Sequence, residues 1–285
     1  MTEATARPWV VITGCSSGIG RALVESCRAA GWGVVASARS LDSLRDLPAG
    51  PDLRLTTLDV TRPESLQQAV AACAGLRLAG LINNAGYGQM APLEFLRPEE
   101  LRAQLETNVV GLHAVTLAFL PLLRAGAAGN PGGSRIVHVA SVLGRMSVPC
   151  AGAYCASKHA VVALGETLRL ELEPEIKVLL VEPGAIRSEF RSTLARVMGD
   201  LPDRVKGTRF ETILERYLTR QETHAAEHGL TAQDCARQIT AAMTRRNPPR
   251  RLVVGADAKW YGRAKALLPM GVWEWGVRRA FHMGR

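Results

Sequence analysis

The chain has no pair of cysteines at CxxC spacing, which argues against a zinc site or a redox-active pair. Its six cysteines are scattered, so we expect reduced thiols in a reducing compartment. No uncharged apolar run reaches membrane-spanning length. A strand-like segment begins by Trp9, which leaves no room for a signal peptide before it. We therefore expect a cytoplasmic protein.

Long blocks of one charge are also missing, although the formal net charge is +9. The 35 basic residues are interspersed with 26 acidic ones, and no nucleic-acid recognition motif accompanies them. We therefore expect no nucleic-acid partner. There is no internal repeat and no linker, so residues 1–285 are expected to form a single domain. A hydrophobic content of 47% is enough for a sizeable core.

Short apolar runs alternate with helical patterns almost throughout. The runs are continuous rather than alternating, as expected for parallel strands buried on both faces. This order predicts a doubly wound α/β domain of the Rossmann type, with a mostly parallel seven-stranded sheet. The predicted strands are residues 9–13, 33–38, 53–58, 78–82, 136–140, 176–181 and 252–254.

A glycine-rich turn follows the first strand and opens a helix. Its sequence is TGCSSGIG at residues 13–20, with GxxxGxG spacing. Glycines allow backbone to approach a pyrophosphate closely, and a helix N-terminus supplies free N–H groups. The expected dinucleotide-binding residues are Gly14, Ser16, Ser17, Gly18, Ile19 and Gly20.

The end of the second predicted strand has no acidic residue at positions 37–40. An acid there usually holds the ribose hydroxyls of NAD. Arg39 stands there instead, and a guanidinium pairs well with a 2′-phosphate. We therefore predict that NADP(H) is preferred over NAD(H); the alternative is an exposed arginine on a turn.

A tyrosine and a lysine four residues apart share one face of a predicted helix, as Tyr154 and Lys158. A nearby ammonium favours the phenolate and can lower the pKa of a tyrosine. Such a tyrosine can exchange a proton with an alcohol or a carbonyl oxygen. Ser141 ends a buried strand, at the edge where open α/β sheets bind ligands.

Together these motifs resemble the short-chain dehydrogenase/reductase family over about residues 8–255, and most closely its hydroxysteroid and retinol dehydrogenase branch. The NNAG at residues 83–86 and the YCASK at residues 154–158 carry much of the likeness. The resemblance implies a catalytic tetrad of Asn108, Ser141, Tyr154 and Lys158. It also implies further cofactor contacts from Asp59, Val60, Asn83, Ala85, Gly86, Tyr154, Lys158, Pro183, Gly184, Ile186 and Ser188.

The family mechanism implies hydride transfer between a nicotinamide and an apolar carbonyl or alcohol substrate. Tyr154 would donate the proton, Ser141 would steady the substrate oxygen, and Lys158 would lower the pKa of Tyr154. Asn108 would position a water that connects Lys158 to solvent. The resemblance also implies a homodimer or homotetramer. The alternative is a non-catalytic NADP(H)-binding regulator that kept the fold.

Two segments depart from the strand–helix alternation. Residues 185–229 form a long insertion, which we expect to be a substrate lid. The alternative for its helically spaced apolar residues, Phe210, Ile213, Leu214, Tyr217 and Leu218, is the apolar face of a packed helix. Within the insertion, His224 and His228 fit an HxxEH pattern, but no third metal ligand is evident, so we expect an exposed helix face and no metal. Residues 256–285 form an aromatic and basic tail that either packs on protein or contacts a membrane surface.

Overall fold

The computed structural model describes residues 7–128, 132–187, 190–281 and 283. Seven strands form one sheet, and two short strands pair separately. In chain order they are Trp9–Ile12 (β1), Gly33–Ala38 (β2), Leu53–Thr57 (β3), Leu78–Asn83 (β4), Ser134–Val139 (β5), Ile176–Pro183 (β6), Ile186–Arg187 (β7), Leu230–Thr231 (β8) and Arg251–Val254 (β9).

The large sheet has the order β3-β2-β1-β4-β5-β6-β9, and every pairing in it is parallel. Strands β1, β2, β4 and β5 are buried along their whole length, which explains their continuous apolar sequence. The predicted doubly wound α/β fold is confirmed. The chain crosses from one edge back to the middle between β3 and β4, so β1 and β4 flank the switch point where such sheets bind ligands.

The helices surround this sheet and build the segments beyond it. In chain order they are Gly18–Ala29 (α1), Pro63–Ala71 (α2), Pro98–Leu105 (α3), Leu112–Ala127 (α4), Gly152–Leu172 (α5), Phe190–Met198 (α6), Leu201–Val205 (α7), Arg209–His228 (α8), Ala232–Met243 (α9), Ala256–Leu267 (α10) and Met270–Ala280 (α11). A six-residue π-helical turn, Glu106–Gly111, joins α3 to α4.

Each face of the sheet has its own apolar core. On one face, Leu23 of α1 and Ile239 of α9 pack against Val10 and Ile12 of β1. On the other face, α2 and α4 cover the sheet, and Phe119 is fully buried there. Both cores bury aliphatic side chains from alternate positions of the same strands, which fixes the register of the sheet.

The continuous helical stretch Pro98–Ala127 is long and apolar enough to cross a membrane by length and composition alone. The stretch carries five charged residues, Glu99, Glu100, Arg102, Glu106 and Arg124, so it does not contradict the expectation that no uncharged apolar run reaches that length. A core helix has the same composition, and Val115, Phe119 and Leu123 of this one are completely buried against the sheet.

The 185–229 insertion and the tail build a third apolar cluster beside the carboxyl edge of the sheet. Tyr217 of α8 stacks on Phe281 of the tail, with 6.2 Å between ring centroids. Ala258 of α10 packs with Val142 and Met146 from the turn after β5. The tail is thus a pair of helices anchored to the domain rather than one short amphipathic segment.

Candidate active site

A cavity of about 1020 Å³ opens at the carboxyl edge of the sheet. One end is lined by the glycine-rich turn after β1 and the ends of β2 and β3. The middle is lined by the turn after β5 and the start of α5, and the far end by α6, α8 and both tail helices. The volume is at the upper end of the usual range for ligand sites, so there is room for a long ligand.

The glycine-rich turn is shaped by close backbone contacts. A Cβ on Gly14, whose φ is +73°, would lie 2.8 Å from the Cα of Ala85. A Cβ on Gly20 would lie 2.1 Å from the carbonyl oxygen of Gly14. Asn84 Nδ2 donates to that same carbonyl at 3.1 Å, which ties the end of β4 to the turn. The glycines are therefore required by packing as well as by any ligand.

The N-terminus of α1 faces this end of the cavity. Its N-cap, Ser17, makes no side-chain capping hydrogen bond, and the first turn contains no acidic residue. Free N–H groups and the positive end of the helix dipole therefore remain available to an anion, which fits the pyrophosphate of a dinucleotide. Ser16, Gly18 and Ile19 line the cavity with Ser17, whereas Gly20 is buried behind them.

Arg39 and Asp59 lie at the adenine end of the cavity. Arg39 is exposed and lines the cavity, and within the described ranges no hydrogen bond or ion pair engages its guanidinium. Asp59 is engaged: although burial opposes the shift, hydrogen bonds from Thr61 hold the pKa of its carboxyl below the ordinary value. Val60 completes this wall. The Arg39 guanidinium, whose charge also helps to lower the pKa of Asp59, is suited to a phosphate.

The two asparagines of the NNAG motif point in different directions. Asn83 is buried and donates to Thr116 Oγ1 at 2.9 Å, with His138 Nδ1 also in reach at 3.1 Å. Its side chain does not line the cavity, contrary to the expected cofactor contact. The alternation of side chains along β4 turns it toward the face of the sheet that α4 covers, where Thr116 lies. Asn84 lines the cavity instead, together with Ala85 and Gly86.

Asn108 lies in the π-helical turn and is almost completely buried. Its Nδ2 donates to the Tyr87 carbonyl at 2.9 Å and to Ser157 Oγ at 3.1 Å, and its Oδ1 accepts from the Tyr87 N–H. Asn108 does not line the cavity. These contacts make it a positioning residue that braces the loop after β4 against α5.

The other three members of the expected tetrad meet in the middle of the cavity. The side chains of Ser141 and Tyr154 are hydrogen-bonded to each other. The Lys158 Nζ donates to the Val139 carbonyl at 2.8 Å and lies 5.7 Å from the centroid of the Tyr154 ring. A phenol, a hydroxyl and an ammonium therefore converge at one point of the sheet edge.

The proton affinities of Tyr154 and Lys158 differ from the expectation. Burial raises the pKa of Tyr154 to about 12, and the hydrogen bond with Ser141 only partly opposes it. Burial also lowers the pKa of Lys158 to about 8. The expected lowering of the Tyr154 pKa by Lys158 was wrong for this structure, because desolvation of the phenol dominates. Tyr154 therefore keeps its proton at neutral pH.

The end of β6 and the turn after it also line the cavity, through Pro183, Gly184 and Ile186. A Cβ on Gly184 would lie 2.3 Å from the Asp257 carboxylate, so this position requires glycine. Ser188, the remaining expected contact, lies outside the described residues.

Sequence reasoning missed Asp257 and misjudged His224, and both line the cavity. The Asp257 side chain is only 8% exposed; its Oδ2 accepts from the Ala185 N–H at 2.8 Å and lies 3.3 Å from His224 Nε2. This carboxylate joins the tail, helix α8 and the turn after β6. In the sequence, the one signal of a special backbone position near Asp257 was Gly255, just before α10. In the structure its φ is +105°.

His224 is therefore half-buried in the cavity wall, rather than on an exposed helix face. Its ring stacks on that of His228 at 5.0 Å. Across the described ranges, no group of three His, Cys, Asp or Glu side chains could hold a metal ion.

Replacing Asp257 tests this junction. Asp257→Ala leaves the partly buried Ala185 N–H without its acceptor, so we expect the free energy of unfolding to fall by about 2 kcal/mol, the usual range for a hydrogen bond to a charged group. Denaturant unfolding followed by circular dichroism measures it. The control Asp42→Ala breaks an exposed ion pair with Arg45 and should leave the midpoint nearly unchanged. Equal stabilities of the two variants would show that the junction contributes nothing.

The far end of the cavity is mostly apolar. Its lining combines the insertion, the tail, the loop after β4 and the segment after β5, and includes Met90, Leu143, Met146, Val148, Leu194, Val197, Tyr217, Trp260, Tyr261, Leu268, Val272, Trp273, Val277 and Phe281. We expected the insertion to be the substrate lid, and the structure adds that the tail supplies much of this wall. An apolar ligand reaching from Tyr154 would contact both segments.

The family model described as short chain dehydrogenase matches residues 8–198. Among curated proteins, the chain is 36% identical over 206 residues to the uncharacterized oxidoreductase YbbO of Escherichia coli K12, covering 71% of this chain and 74% of that one. It is 33% identical over 283 residues to retinol dehydrogenase 5 of Mus musculus, covering 93% of this chain and 86% of that one.

Solved structures give the same result. A short-chain dehydrogenase from Streptomyces avermitilis superposes with a TM-score of 0.75 at 29% identity, covering 96% of this chain and 98% of that one. One from Burkholderia phymatum, in complex with NAD, gives 0.74 at 28% identity, covering 92% and 94%. One from Burkholderia cenocepacia, in complex with NADP, gives 0.72 at 24% identity, covering 98% and 100%, which is a likeness of fold.

Proposed function

The chain belongs to the short-chain dehydrogenase family and is an NAD(P)-dependent dehydrogenase or reductase, and from this premise we propose that it interconverts an apolar carbonyl and its alcohol with NADP(H) as the preferred cofactor. The observation that carries the proposal is the meeting of Ser141, Tyr154 and Lys158 in a cavity whose far end is apolar.

The residues present fit a nicotinamide dinucleotide. The N-terminus of α1 would hold the pyrophosphate, Arg39 the 2′-phosphate, and the turn at Pro183 and Gly184 the nicotinamide side. When bound, the cofactor supplies or accepts the hydride.

The protein's own part in reduction is proton delivery. Tyr154 holds its proton at neutral pH and hydrogen-bonds to Ser141, so the two hydroxyl groups can share a substrate carbonyl oxygen. The Tyr154 proton goes to that oxygen while Ser141 stabilises the charge developing on it. The buried ammonium of Lys158 then stabilises the phenolate left behind. Asn108 positions the surrounding backbone.

Arg39 tests the cofactor preference. Arg39→Ala removes the guanidinium at the adenine end of the cavity. We therefore expect the KM for NADPH to rise about tenfold or more, which corresponds to the loss of one hydrogen bond to a charged group, while the KM for NADH barely changes. Steady-state kinetics with both cofactors measures this, and Arg45→Ala, at an exposed ion pair outside the cavity, is the control. Equal effects on both cofactors would contradict the role of Arg39.

The reaction is tested with a panel of apolar ketones, aldehydes and alcohols, including steroids and retinoids, followed by nicotinamide absorbance. Turnover with NADPH or NADP is the expected result. Binding of NADPH without turnover of any substrate would favour the alternative, a regulator that kept the fold. The side chains converging on Tyr154 argue against that alternative, because a sensor needs no proton donor.

We also propose a cytoplasmic location and a homo-oligomer. All six cysteines are buried free thiols, which supports a reducing compartment. Leu117 of α4 is 52% exposed and Leu170 of α5 is 85% exposed, which supports contact between subunits along these helices.

A further inference from the structure

The tail contains a dense patch of exposed apolar side chains. In the described ranges, twelve large hydrophobic side chains are exposed, and half of them lie between residues 260 and 275. This patch, called the tail patch below, consists of Trp260, Leu267, Leu268, Met270, Val272 and Trp275. Four of them fall within seven residues, where α10 ends and α11 begins. Such a concentration marks an interaction site rather than ordinary surface.

The tail patch lies in a basic part of the chain. Residues 256–285 contain six Lys or Arg residues and two acidic residues. The guanidinium of Arg279 lies 5.7 Å from the Trp275 ring centroid, and the Lys265 ammonium lies 5.8 Å from that of Trp273. Tryptophan next to Lys or Arg is the combination that helices use at the boundary between lipid headgroups and acyl chains.

The cavity opens through the tail patch. Trp260, Leu268 and Val272 line the cavity and yet are 65%, 42% and 50% exposed, so these side chains stand at the mouth. Other tail aromatics turn inward: Phe281 is buried and Trp273 packs with Met146. The tail therefore closes the domain with one face and presents the other, apolar face to its surroundings.

We propose that the helix pair α10–α11 binds the surface of an anionic lipid bilayer, with the tail patch in the headgroup region and the cavity mouth facing the membrane. Neither tail helix meets the length and hydropathy of a spanning segment; in the described part of the chain only Pro98–Ala127 does, so the contact is peripheral. The excess of basic residues in the tail suits anionic lipid. Delivery of an apolar substrate from the bilayer rests on the proposed function, whereas membrane binding does not.

Co-sedimentation of the full chain with vesicles tests the proposal. Vesicles of phosphatidylcholine with phosphatidylglycerol should pellet the protein, and vesicles of phosphatidylcholine alone should pellet much less. Added salt should weaken the binding, because it screens the attraction between the basic side chains of the tail and the anionic headgroups. The variant Leu267→Ser/Met270→Ser/Trp275→Ser changes exposed side chains that do not line the cavity. It should bind about tenfold more weakly or worse, since each buried apolar side chain contributes substantially.

The matched control is Leu41→Ser/Leu55→Ser/Leu93→Ser, which changes three exposed leucines outside the tail and should bind as the parent does. Equal pelleting of the tail variant and the parent would overturn the proposal. So would a parent that does not bind vesicles but loses oligomeric mass in light scattering when the tail patch is changed, since a second copy would then cover the patch. Binding is measured without turnover, so a failure of the proposed reaction and a failure of membrane binding are distinguished.

Discussion

Tyr154→Phe is expected to bind NADPH as the parent does and to lose turnover by about 10²–10⁴-fold, the usual contribution of a positioned proton donor. The variant removes only the phenolic oxygen, which is the atom that hydrogen-bonds to Ser141. Tyr154 is anchored in α5, in the middle of the cavity, and the glycine-rich turn that would hold the dinucleotide is a separate element at one end. Cofactor binding followed by NADPH fluorescence, together with steady-state turnover on any active substrate, measures both effects.

Tyr217→Phe is the matched control. Tyr217 lines the same cavity, but among the described residues its hydroxyl donates to the Met90 sulfur, a weak acceptor, at 3.3 Å. We therefore expect a small change in turnover from this variant. Full activity of Tyr154→Phe would refute proton transfer by Tyr154, and an equal loss in both variants would point to packing of the cavity instead.

Lys158→Met is expected to lower turnover by about 10²-fold, the range found when one preorganised charge-stabilising group is removed. Lys158 is only 5% exposed, so little water screens the attraction of its ammonium for a phenolate at Tyr154. The substitution keeps the length of the aliphatic chain. Turnover under saturating cofactor separates this loss from weaker cofactor binding.

The pH profile gives an independent test of Lys158. Because burial lowers its pKa to about 8 while that of Tyr154 is about 12, reduction by the parent should decline as pH rises through about 8. The phenol is still protonated there, but the charge beside it is lost. The Lys158→Met profile should lack this decline. A decline at the same pH in both proteins would assign it to another group.

The pH dependence of the free energy of unfolding is a second test of Lys158. The pKa of Lys158 falls from 10.5 to about 8 on folding, so between these values the unfolded chain binds more protons. The free energy of unfolding should therefore gain up to about 1.4 kcal/mol per pH unit from this group as pH rises through that window. Lys158→Met should remove this gain.

The far end of the cavity is built by two segments of the chain. From the sequence, substrate choice was assigned to the insertion, residues 185–229, because that stretch interrupts the alternation of strand and helix. Tyr217 of the insertion instead stacks on Phe281 of the tail, and Asp257 of the tail contacts His224 of the insertion. Substitutions that alter specificity are therefore expected in both segments.

Local patterns made much of the fold and site predictable. Buried strands read as apolar runs, and the glycine-rich turn needs its glycines for contacts within β1, β4 and α1. Ser141, Tyr154 and Lys158 lie within one strand–turn–helix unit, so their spacing alone places them together. Asn83 was misplaced because a motif does not say which of two adjacent amides faces the cavity; the alternation of β4 does.

Sequence patterns predicted the parallel sheet, the glycine-rich turn and the candidate reacting groups, because these depend on neighbouring residues and on short periodicities. Tertiary packing sets the pKa values of Tyr154 and Lys158, because desolvation depends on everything that packs around a side chain. It also decided the junction at Asp257, whose partner His224 is far away in the chain. The exposure of the tail patch at the cavity mouth was likewise decided there, because only packing determines which aromatic side chains of the tail turn inward.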